Sequence, residues 1–234
     1  MQPFFYRSRW RRKTETTMEK RVLCYGDSNT WGYIPGSGKR YKRTERWTGI
    51  CQELLGRDYC ILENGINGRT TVYEQEFNRY LNGLSGLGYA LLAEAPLDLI
   101  VLFLGTNDIT MKDIRQVQLG MDELVRICKN ADAVYRAESP IFPKGPKILL
   151  IAPMSFDPCV NVSCEGSAKG RYRESCLFPE AYRQIAEKYG TEFLDASVLT
   201  GVSRADGVHL TPEGHKILGD AVAEKIRSIF EGKS

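Results

Sequence analysis

Residues Val22–Trp31 read VLCYGDSNTW, and this segment decides the fold because it joins a strand-like run to a polar turn. The four apolar residues Val22–Tyr25 have the length of a buried strand and stop at Gly26, where the backbone must turn. In an α/β domain, such a turn presents a side chain beyond the carboxyl end of the first strand. Ser28 is therefore a candidate nucleophile, although the polar residues Asp27–Asn29 are also typical of a helix cap or a turn.

The composition of the 234-residue chain is that of a soluble globular protein, with 42% hydrophobic and 26% charged side chains, so one domain is expected. The formal net charge of +3 is unevenly distributed, because residues 1–17 carry five basic side chains and one acidic side chain. We expect residues 1–17 to be a disordered basic extension, with a targeting remnant or an upstream extension of the reading frame as alternatives. Residues 18–234 then form the single domain, whose nearly neutral charge gives no reason to expect a nucleic-acid partner.

The sequence favours a cytoplasmic location. No run approaches the roughly 18 consecutive apolar residues of a membrane span, and no secretory signal is visible, although an organellar transit peptide stays open. Of the seven cysteines, four lie in apolar or amphipathic segments, as is typical of reduced core thiols: Cys24, Cys51, Cys60 and Cys128. The others, Cys159, Cys164 and Cys176, match no zinc motif, so we expect neither a metal nor another cofactor.

Short apolar runs alternate with helical patterns, and this alternation predicts a three-layer α/β/α sandwich around a doubly wound, five-stranded parallel sheet. After the first strand, the candidates are Tyr59–Asn64, Asp98–Leu104, Lys147–Ala152 and the weaker Glu192–Asp195. The spacing of apolar residues predicts helices over Trp47–Leu55, Ile114–Lys129, Pro179–Lys188 and Pro212–Phe230. The stretch Met154–Glu174 is too long for a simple connection and indicates a functional loop or lid.

Polar segments follow four of the five predicted strands. They are Ser28 and its neighbours, Asn64–Thr70, Gly105–Asp108 and Asp206–His209. Because the carboxyl ends of parallel strands meet at one edge of a sheet, we expect these four segments to converge there. Turn formation alone does not explain polar segments at four strand ends.

Acyl transfer through a serine needs a base, a carboxylate that orients the base, and donors for the developing oxyanion. The chain contains two histidines, and His209 is the preferred base because it lies in a loop, whereas His215 falls within a predicted helix. Asp206 precedes His209 by three residues and can fold back onto its ring. Each histidine considered alone is more typical of a structural residue.

Gly68 and Asn107 are the candidate oxyanion donors. Gly68 has no Cβ, so its backbone N–H can approach a substrate oxygen closely. The side-chain amide of Asn107 supplies a further donor. Taken singly, Gly68 also fits an ordinary turn and Asn107 an Asx turn.

The four polar segments together resemble the sequence blocks of the GDSL-type SGNH hydrolase superfamily. Residues 26–29 resemble its first block, with Asn29 where many members have leucine, and Gly68, residues 105–108 and residues 206–209 resemble the second, third and fifth blocks. The resemblance implies the flavodoxin-like SGNH fold. It also implies that Ser28 is the nucleophile of a triad that Asp206 and His209 complete. By the same resemblance, the oxyanion donors are the Ser28 N–H, Gly68 and Asn107.

A closer similarity is to the bacterial arylesterase and acyltransferase branch, through the sequences TWG at 30–32, RWTG at 46–49, GRTT at 68–71 and RYLNG at 79–83. That resemblance implies a homo-oligomeric enzyme that hydrolyses short acyl esters and can transfer the acyl group to alcohols. Residues near the serine are candidates for the substrate pocket: Asp27, Asn29, Trp31, Tyr33 and Arg69. Of these, Arg69 can hold an anionic substrate group or pair with an acid such as Glu63.

Other functions remain open at this stage. A carbohydrate O-acetyl esterase and a lysophospholipase-type lipid esterase share the fold. A metal-dependent phosphatase could gather Asp27, Asp108 and Asp206 around Mg²⁺, but it would leave Ser28 and His209 without roles. A catalytically silent binding protein is the last alternative.

Overall fold

The computed structural model describes residues 19–75, 78–160 and 168–232. Within them, one five-stranded sheet consists of β1 Lys20–Gly26, β2 Tyr59–Gly65, β3 Leu99–Phe103, β4 Ile148–Ala152 and β5 Glu192–Asp195. Neighbouring strands run parallel in the order β2-β1-β3-β4-β5. The chain moves from β1 outward to β2, then crosses back past β1 and continues in the other direction. This doubly wound arrangement confirms the predicted fold class.

Helices cover both faces of the sheet. They are α1 Ser28–Trp31, α2 Trp47–Leu55, α3 Gly83–Glu94, α4 Ile114–Lys129, α5 Ala131–Tyr135, α6 Ala168–Ser175, α7 Phe178–Tyr189 and α8 Pro212–Glu231. Successive side chains of a strand point to opposite faces. Leu23 and Tyr25 of β1 therefore join the core under α3, α4 and α7, whereas Val22 and Cys24 join the core under α2 and α8. Both faces are buried, which explains the continuous apolar runs.

The predicted helices over residues 47–55 and 114–129 have the bounds of α2 and α4. The prediction over 179–188 is one residue shorter than α7 at each end, and the prediction over 212–230 is one residue shorter than α8 at its carboxyl end. The start of α8 has a clear local cause. The Thr211 hydroxyl accepts the Gly214 N–H at 3.1 Å, and Pro212 occupies the first helical position. This start places His209, three residues earlier, in the loop at the carboxyl edge of the sheet.

Helix α3 was not predicted from the sequence. Its segment contains several glycines, which are poor helix formers. The glycines serve close packing instead: a Cβ on Gly83 would lie 2.4 Å from the carbonyl oxygen of Thr70. The Asn82 side chain accepts the Ser85 N–H at 3.2 Å and caps the helix. Tertiary contacts therefore outweigh the low helix propensity.

The remaining sequence expectations meet the structure in part. Residues 1–17, residues 161–167 and Cys164 lie outside the described residues. The stretch predicted as a loop or lid contains α6 near its end, so it is helical in part. Cys24, Cys51 and Cys128 are buried free thiols, Cys60 is half-buried, and Cys159 and Cys176 are exposed. Among the described helices, none combines the length and the apolar character that crossing a membrane requires.

Candidate active site

Ser28 is the first residue of the short helix α1, directly beyond the end of β1. The Asp27 carboxylate accepts the Asn29 N–H at 2.9 Å, so Asp27 caps this helix. The helix ends after one turn at Gly32, whose N–H donates to the Ser28 carbonyl oxygen at 2.8 Å. The strand end and the cap together fix the position of the Ser28 side chain at the carboxyl edge of the sheet.

A continuous chain of hydrogen bonds joins Ser28, His209 and Asp206. The Nε2 atom of His209 lies 2.9 Å from the Ser28 hydroxyl oxygen, although 181 residues separate the two in sequence. The other ring nitrogen, Nδ1, lies 2.8 Å from Asp206 Oδ2. The Asp206 Oδ1 atom accepts the backbone N–H groups of Val208 and His209, each at 3.1 Å. Asp206 therefore orients both the ring and the loop that carries it.

The charge on Asp206 fixes the tautomer of His209. Partial burial acts to raise the pKa of Asp206, but the hydrogen bonds from the His209 ring and backbone and from the Val208 N–H outweigh burial, and the pKa is lowered from its usual value. An ionised carboxylate can only accept hydrogen bonds, so Nδ1 carries the proton. The lone pair of Nε2 then faces the Ser28 hydroxyl group, as a general base requires.

Asn29 connects the serine helix to the histidine loop. Its side-chain oxygen accepts the Leu210 N–H at 3.0 Å, and its side chain is almost fully buried. The sequence-based expectation that Asn29 and Asp27 line a substrate pocket is wrong, because both side chains are buried and accept backbone N–H groups of the protein itself. In this chain the residue after the serine links two loops.

The loop after β2 carries Gly68 and lies against the end of β1. The Ile66 N–H donates to the Gly26 carbonyl oxygen at 3.2 Å. Gly68 has a φ of 81°, a backbone conformation that L side chains rarely adopt. Its own N–H donates to no acceptor among the described residues. It is therefore available to an external oxygen.

Asn107 follows β3 and lines the cleft beside His209. One hydrogen of its side-chain amide binds the Arg69 carbonyl oxygen at 2.9 Å, which holds the Asn107 loop to the Gly68 loop. The second amide hydrogen has no acceptor among the described residues. The neighbouring carboxylate of Asp108 accepts the Thr71 N–H and hydroxyl group, the latter at 2.5 Å, and joins the same two loops again.

Arg69 is an internal connector. Its side chain is buried, and its guanidinium group donates to the Gly26 carbonyl oxygen at 2.9 Å and to the Asn64 side-chain oxygen at 2.9 Å. The same group lies 4.0 Å from the centre of the Tyr25 ring. Glu63 instead pairs with Arg46 at 3.0 Å. The sequence-based expectation that Arg69 binds a substrate anion or pairs with Glu63 is therefore wrong.

A cleft of about 280 Å³ opens beside the imidazole, and its lining includes Tyr33, Thr106, Asn107, Thr110, Val208 and His209. The Tyr33 ring packs against the His209 ring with a centroid distance of 4.4 Å. Trp31, another expected pocket residue, does not line this cleft. The guanidinium group of Arg40 covers its ring at 5.0 Å, and the Arg40 Nε–H donates to the Trp31 carbonyl oxygen at 2.7 Å.

The carboxylates considered for a magnesium site are committed elsewhere. Burial raises the pKa of Asp27 to about 7 and that of Asp108 to about 6, in both cases against opposing hydrogen bonds. Asp206 binds the His209 ring. In the described ranges, no group of three or more His, Cys, Asp or Glu side chains is arranged to hold a metal ion. The arrangement does not favour the phosphatase alternative.

A doubly wound sheet with a serine, a histidine and a carboxylate hydrogen-bonded at its carboxyl edge defines a serine hydrolase. The chain belongs to the GDSL-like lipase/acylhydrolase family, whose model matches residues 24–217, and it is a carboxylic ester hydrolase. The family expected from the sequence motifs is thereby confirmed. No curated protein sequence matches the chain significantly.

Solved structures of esterases superpose on most of the chain. An aryl esterase from M. smegmatis is 30% identical, with 89% of this chain and 99% of that chain covered and a TM-score of 0.81. Est24, a carbohydrate acetylesterase from Sinorhizobium meliloti, is 33% identical, with 90% of this chain and 100% of that chain covered and a TM-score of 0.80. Both are similar to this chain over nearly its whole described length.

Three features of the site could not be predicted from the sequence: the packing of Tyr33 on His209, the bond from the Leu210 backbone to Asn29, and the bond from Arg69 to the end of β1. All three depend on contacts between residues far apart in sequence. The aromatic residue five positions after the serine was visible in the sequence, but its histidine partner was not.

Proposed function

We propose that this esterase cleaves short-chain carboxylic esters through an acyl-serine intermediate, with Ser28 as nucleophile and His209 as general base. The observation that carries the proposal is the hydrogen-bonded chain from the Ser28 hydroxyl group through His209 to Asp206. The lowered pKa of Asp206 keeps its carboxylate ionised, and the ionised carboxylate favours the His209 tautomer whose Nε2 lone pair faces the Ser28 hydroxyl group.

In the first half-reaction, His209 accepts the hydroxyl proton as the Ser28 oxygen attacks the ester carbonyl carbon. The N–H groups of Ser28 and Gly68 and the Asn107 amide stabilise the oxyanion of the tetrahedral intermediate. The bond to the alcohol oxygen then breaks, and His209 protonates the departing alcohol. An ester and an enzyme hydroxyl group have become an acyl-enzyme and a free alcohol.

In the second half-reaction, water attacks the acyl-enzyme, again with His209 accepting the proton. The bond between the acyl carbon and the Ser28 oxygen breaks, and His209 returns the proton to the serine. A free carboxylic acid leaves. An alcohol that takes the place of water receives the acyl group instead, so the same steps allow acyl transfer.

The size of the cleft supports a short acyl group, because about 280 Å³ accommodates only a small substrate. Its polar lining supports a second candidate, the acetyl esters of carbohydrates. Thr110 and Asn107 place a hydroxyl group and an amide along the cleft. The Thr110 hydroxyl group donates to the Asn107 carbonyl oxygen at 2.7 Å, so its oxygen can still accept a hydroxyl group of a sugar, to which the amide can also bind. The similarity to a carbohydrate acetylesterase agrees with this second candidate.

The decisive experiment compares p-nitrophenyl acetate, butyrate and octanoate with an acetylated sugar, for the wild-type protein and for Ser28→Ala, each with and without EDTA. We expect the highest kcat/KM for acetate, resistance to EDTA, and loss of activity in Ser28→Ala. Mass spectrometry after treatment with a serine-directed phosphonate should show one adduct, on Ser28. Turnover that survives in Ser28→Ala would refute the proposed nucleophile, and a preference for octanoate would refute the short acyl group.

A further inference from the structure

Tyr33 packs its aromatic ring on the face of the candidate base. The ring centroids of Tyr33 and His209 lie 4.4 Å apart, and the two planes are tilted by 36°. We propose that Tyr33 is a positioning residue, whose ring keeps the His209 imidazole in line with Ser28 and stabilises the imidazolium that forms during proton transfer. This inference rests on the proposed function, because it requires that His209 is the general base.

The hydrogen bonds of His209 leave one motion of its ring uncontrolled. Asp206 and Ser28 bind the two nitrogens, so they fix the line that joins these atoms. The ring can still tilt about that line, and a tilt moves the Nε2 lone pair away from the serine hydroxyl hydrogen. An aromatic ring on the face of the imidazole limits this tilt by direct packing. Tyr33 therefore supplies a constraint that the triad itself lacks.

The Tyr33 ring is itself held in place at both ends. Its backbone N–H donates to the Ser28 carbonyl oxygen at 3.0 Å, and its hydroxyl oxygen accepts the Gly38 N–H at 3.2 Å. An antiparallel bridge pairs Tyr33 with Arg40 across the intervening turn. One residue thus contacts the nucleophile through its backbone and the base through its side chain. The ring that packs on the base is thus attached to the helix that carries the nucleophile.

The electrostatic effect of the ring has a definite sign. The face of an aromatic ring attracts a cation, so Tyr33 favours the charged imidazolium over the neutral imidazole. Removal of the ring should make protonation of His209 harder. The acid limb of the kcat/KM profile, where protonated His209 no longer acts as a base, should then move to lower pH. A residue that only supports the fold has no reason to move this limb.

Other titratable groups near His209 remain unchanged in this comparison. Asp206 binds the ring from the same loop, and His215 on α8 interacts electrostatically with His209. Arg46, next to α2, acts on His215, and Tyr41 lies within electrostatic range of Asp206. A Tyr33 variant removes none of these groups. Tyr33→Leu and Tyr33→Phe both lose the hydroxyl oxygen that accepts the Gly38 N–H, so the difference between their acid limbs reports the ring.

The chain offers a matched control in Tyr41, whose ring contacts the other histidine. The Tyr41 and His215 rings lie 5.1 Å apart at 78°. His215 is fully buried and its Nδ1 accepts the Trp47 N–H at 3.3 Å, so this pair has no contact with the candidate nucleophile. Tyr41→Leu therefore removes the same ring from a histidine that takes no part in the proposed reaction.

The experiment measures kcat and KM for p-nitrophenyl acetate across the pH range for Tyr33→Leu, Tyr33→Phe, Tyr33→Trp and Tyr41→Leu. We expect Tyr33→Leu to lower kcat about fivefold and to shift the acid limb down by about half a pH unit, as the loss of an aromatic–cation contact predicts. Tyr33→Phe and Tyr33→Trp keep an aromatic face and should restore both properties. Tyr41→Leu should leave the acid limb and kcat unchanged in the folded protein.

The inference is overturned if Tyr33→Leu leaves the acid limb in place, or if Tyr41→Leu shifts it equally. Should Tyr33→Leu fail to fold, Tyr33→Met fills similar space with a flexible side chain that has no aromatic face, and it takes the place of leucine in the comparison. Ser28→Ala distinguishes a failure of the proposed function from a failure of the proposed role of Tyr33. Activity in Ser28→Ala refutes the proposed function itself, whereas an inactive Ser28→Ala together with an unshifted Tyr33→Leu refutes only the role of Tyr33.

Discussion

Replacement of Asn107 by alanine should separate the chemistry of the oxyanion hole from the stability of the fold. The Asn107 amide has two hydrogens, of which one binds the Arg69 carbonyl oxygen at 2.9 Å and the other is free to bind the substrate oxyanion in the cleft. Loss of one oxyanion donor typically lowers kcat by about 10²–10³, or about 2.7–4 kcal/mol of transition-state stabilisation. Loss of the bond to Arg69 costs about 1 kcal/mol of unfolding free energy. The free energy lost from transition-state stabilisation should therefore exceed the loss in unfolding free energy.

A matched control for this prediction is Asn130→Ala. The Asn130 amide donates to the Arg126 carbonyl oxygen at 2.8 Å, so it makes the same type of bond as Asn107, but at the exposed end of α4. Steady-state kinetics with p-nitrophenyl acetate and urea titrations should be measured for both variants. We expect similar small losses of stability and a loss of kcat in Asn107→Ala alone. Equal kcat values in the two variants would show that Asn107 holds the loops together without stabilising the oxyanion.

Three further predictions follow from contacts in and near the site. Asp206→Asn should lower kcat by roughly 10³–10⁴ because the amide no longer enforces the His209 tautomer, and unchanged kcat at neutral pH would contradict the orienting role of Asp206. Burial lowers the pKa of His215 to about 4, so the unfolded chain binds a proton first as the pH falls below about 6.5. The free energy of unfolding should therefore fall by up to about 3 kcal/mol between about pH 6.5 and about pH 4. In His215→Asn the side-chain oxygen can still accept the Trp47 N–H, and urea titrations should show an unfolding free energy that depends less on pH. Arg69→Lys should reduce the free energy of unfolding by about 2 kcal/mol. The ratio of kcat/KM between neutral and anionic acetyl esters should not change. A kcat/KM that falls only for the anionic ester would show that Arg69 binds the substrate.

The sequence predicts the sheet well because its three central strands, β1, β3 and β4, are buried on both faces. In such strands the apolar run itself identifies the strand, and the parallel topology then follows from the helices between them. The bounds of α2 and α4 follow from a different pattern, because each helix has one buried face and its apolar residues recur at helical spacing. Helix α3 lacks this pattern, and its three glycines are explained only by the close contacts that they permit with Thr70, Tyr25 and Tyr135.

The candidate site also contains residues that the sequence could identify and residues whose contacts it could not predict. Ser28, Asp206 and His209 could be chosen from the sequence because their chemistry restricts the residue types, and because the chain has few histidines. The surroundings of the triad could not be derived in this way. Whether Arg69 meets a substrate or a carbonyl oxygen depends on where the ends of β1 and β2 lie. Local sequence contains no information about such a contact.

The residues beside the proposed reactive groups share a structural task, which is to join the loops that carry those groups. Asn29, next to Ser28, binds the backbone after His209. Arg69, next to Gly68, binds the end of β1, and Asp108, next to Asn107, binds Thr71 in the Gly68 loop. Each of the four loops that carry the proposed reactive groups is thus joined to another of them by a buried side chain. Preorganised donors stabilise a transition state more than donors that must first be ordered, so we expect these connections to support the proposed reaction without contact with the substrate.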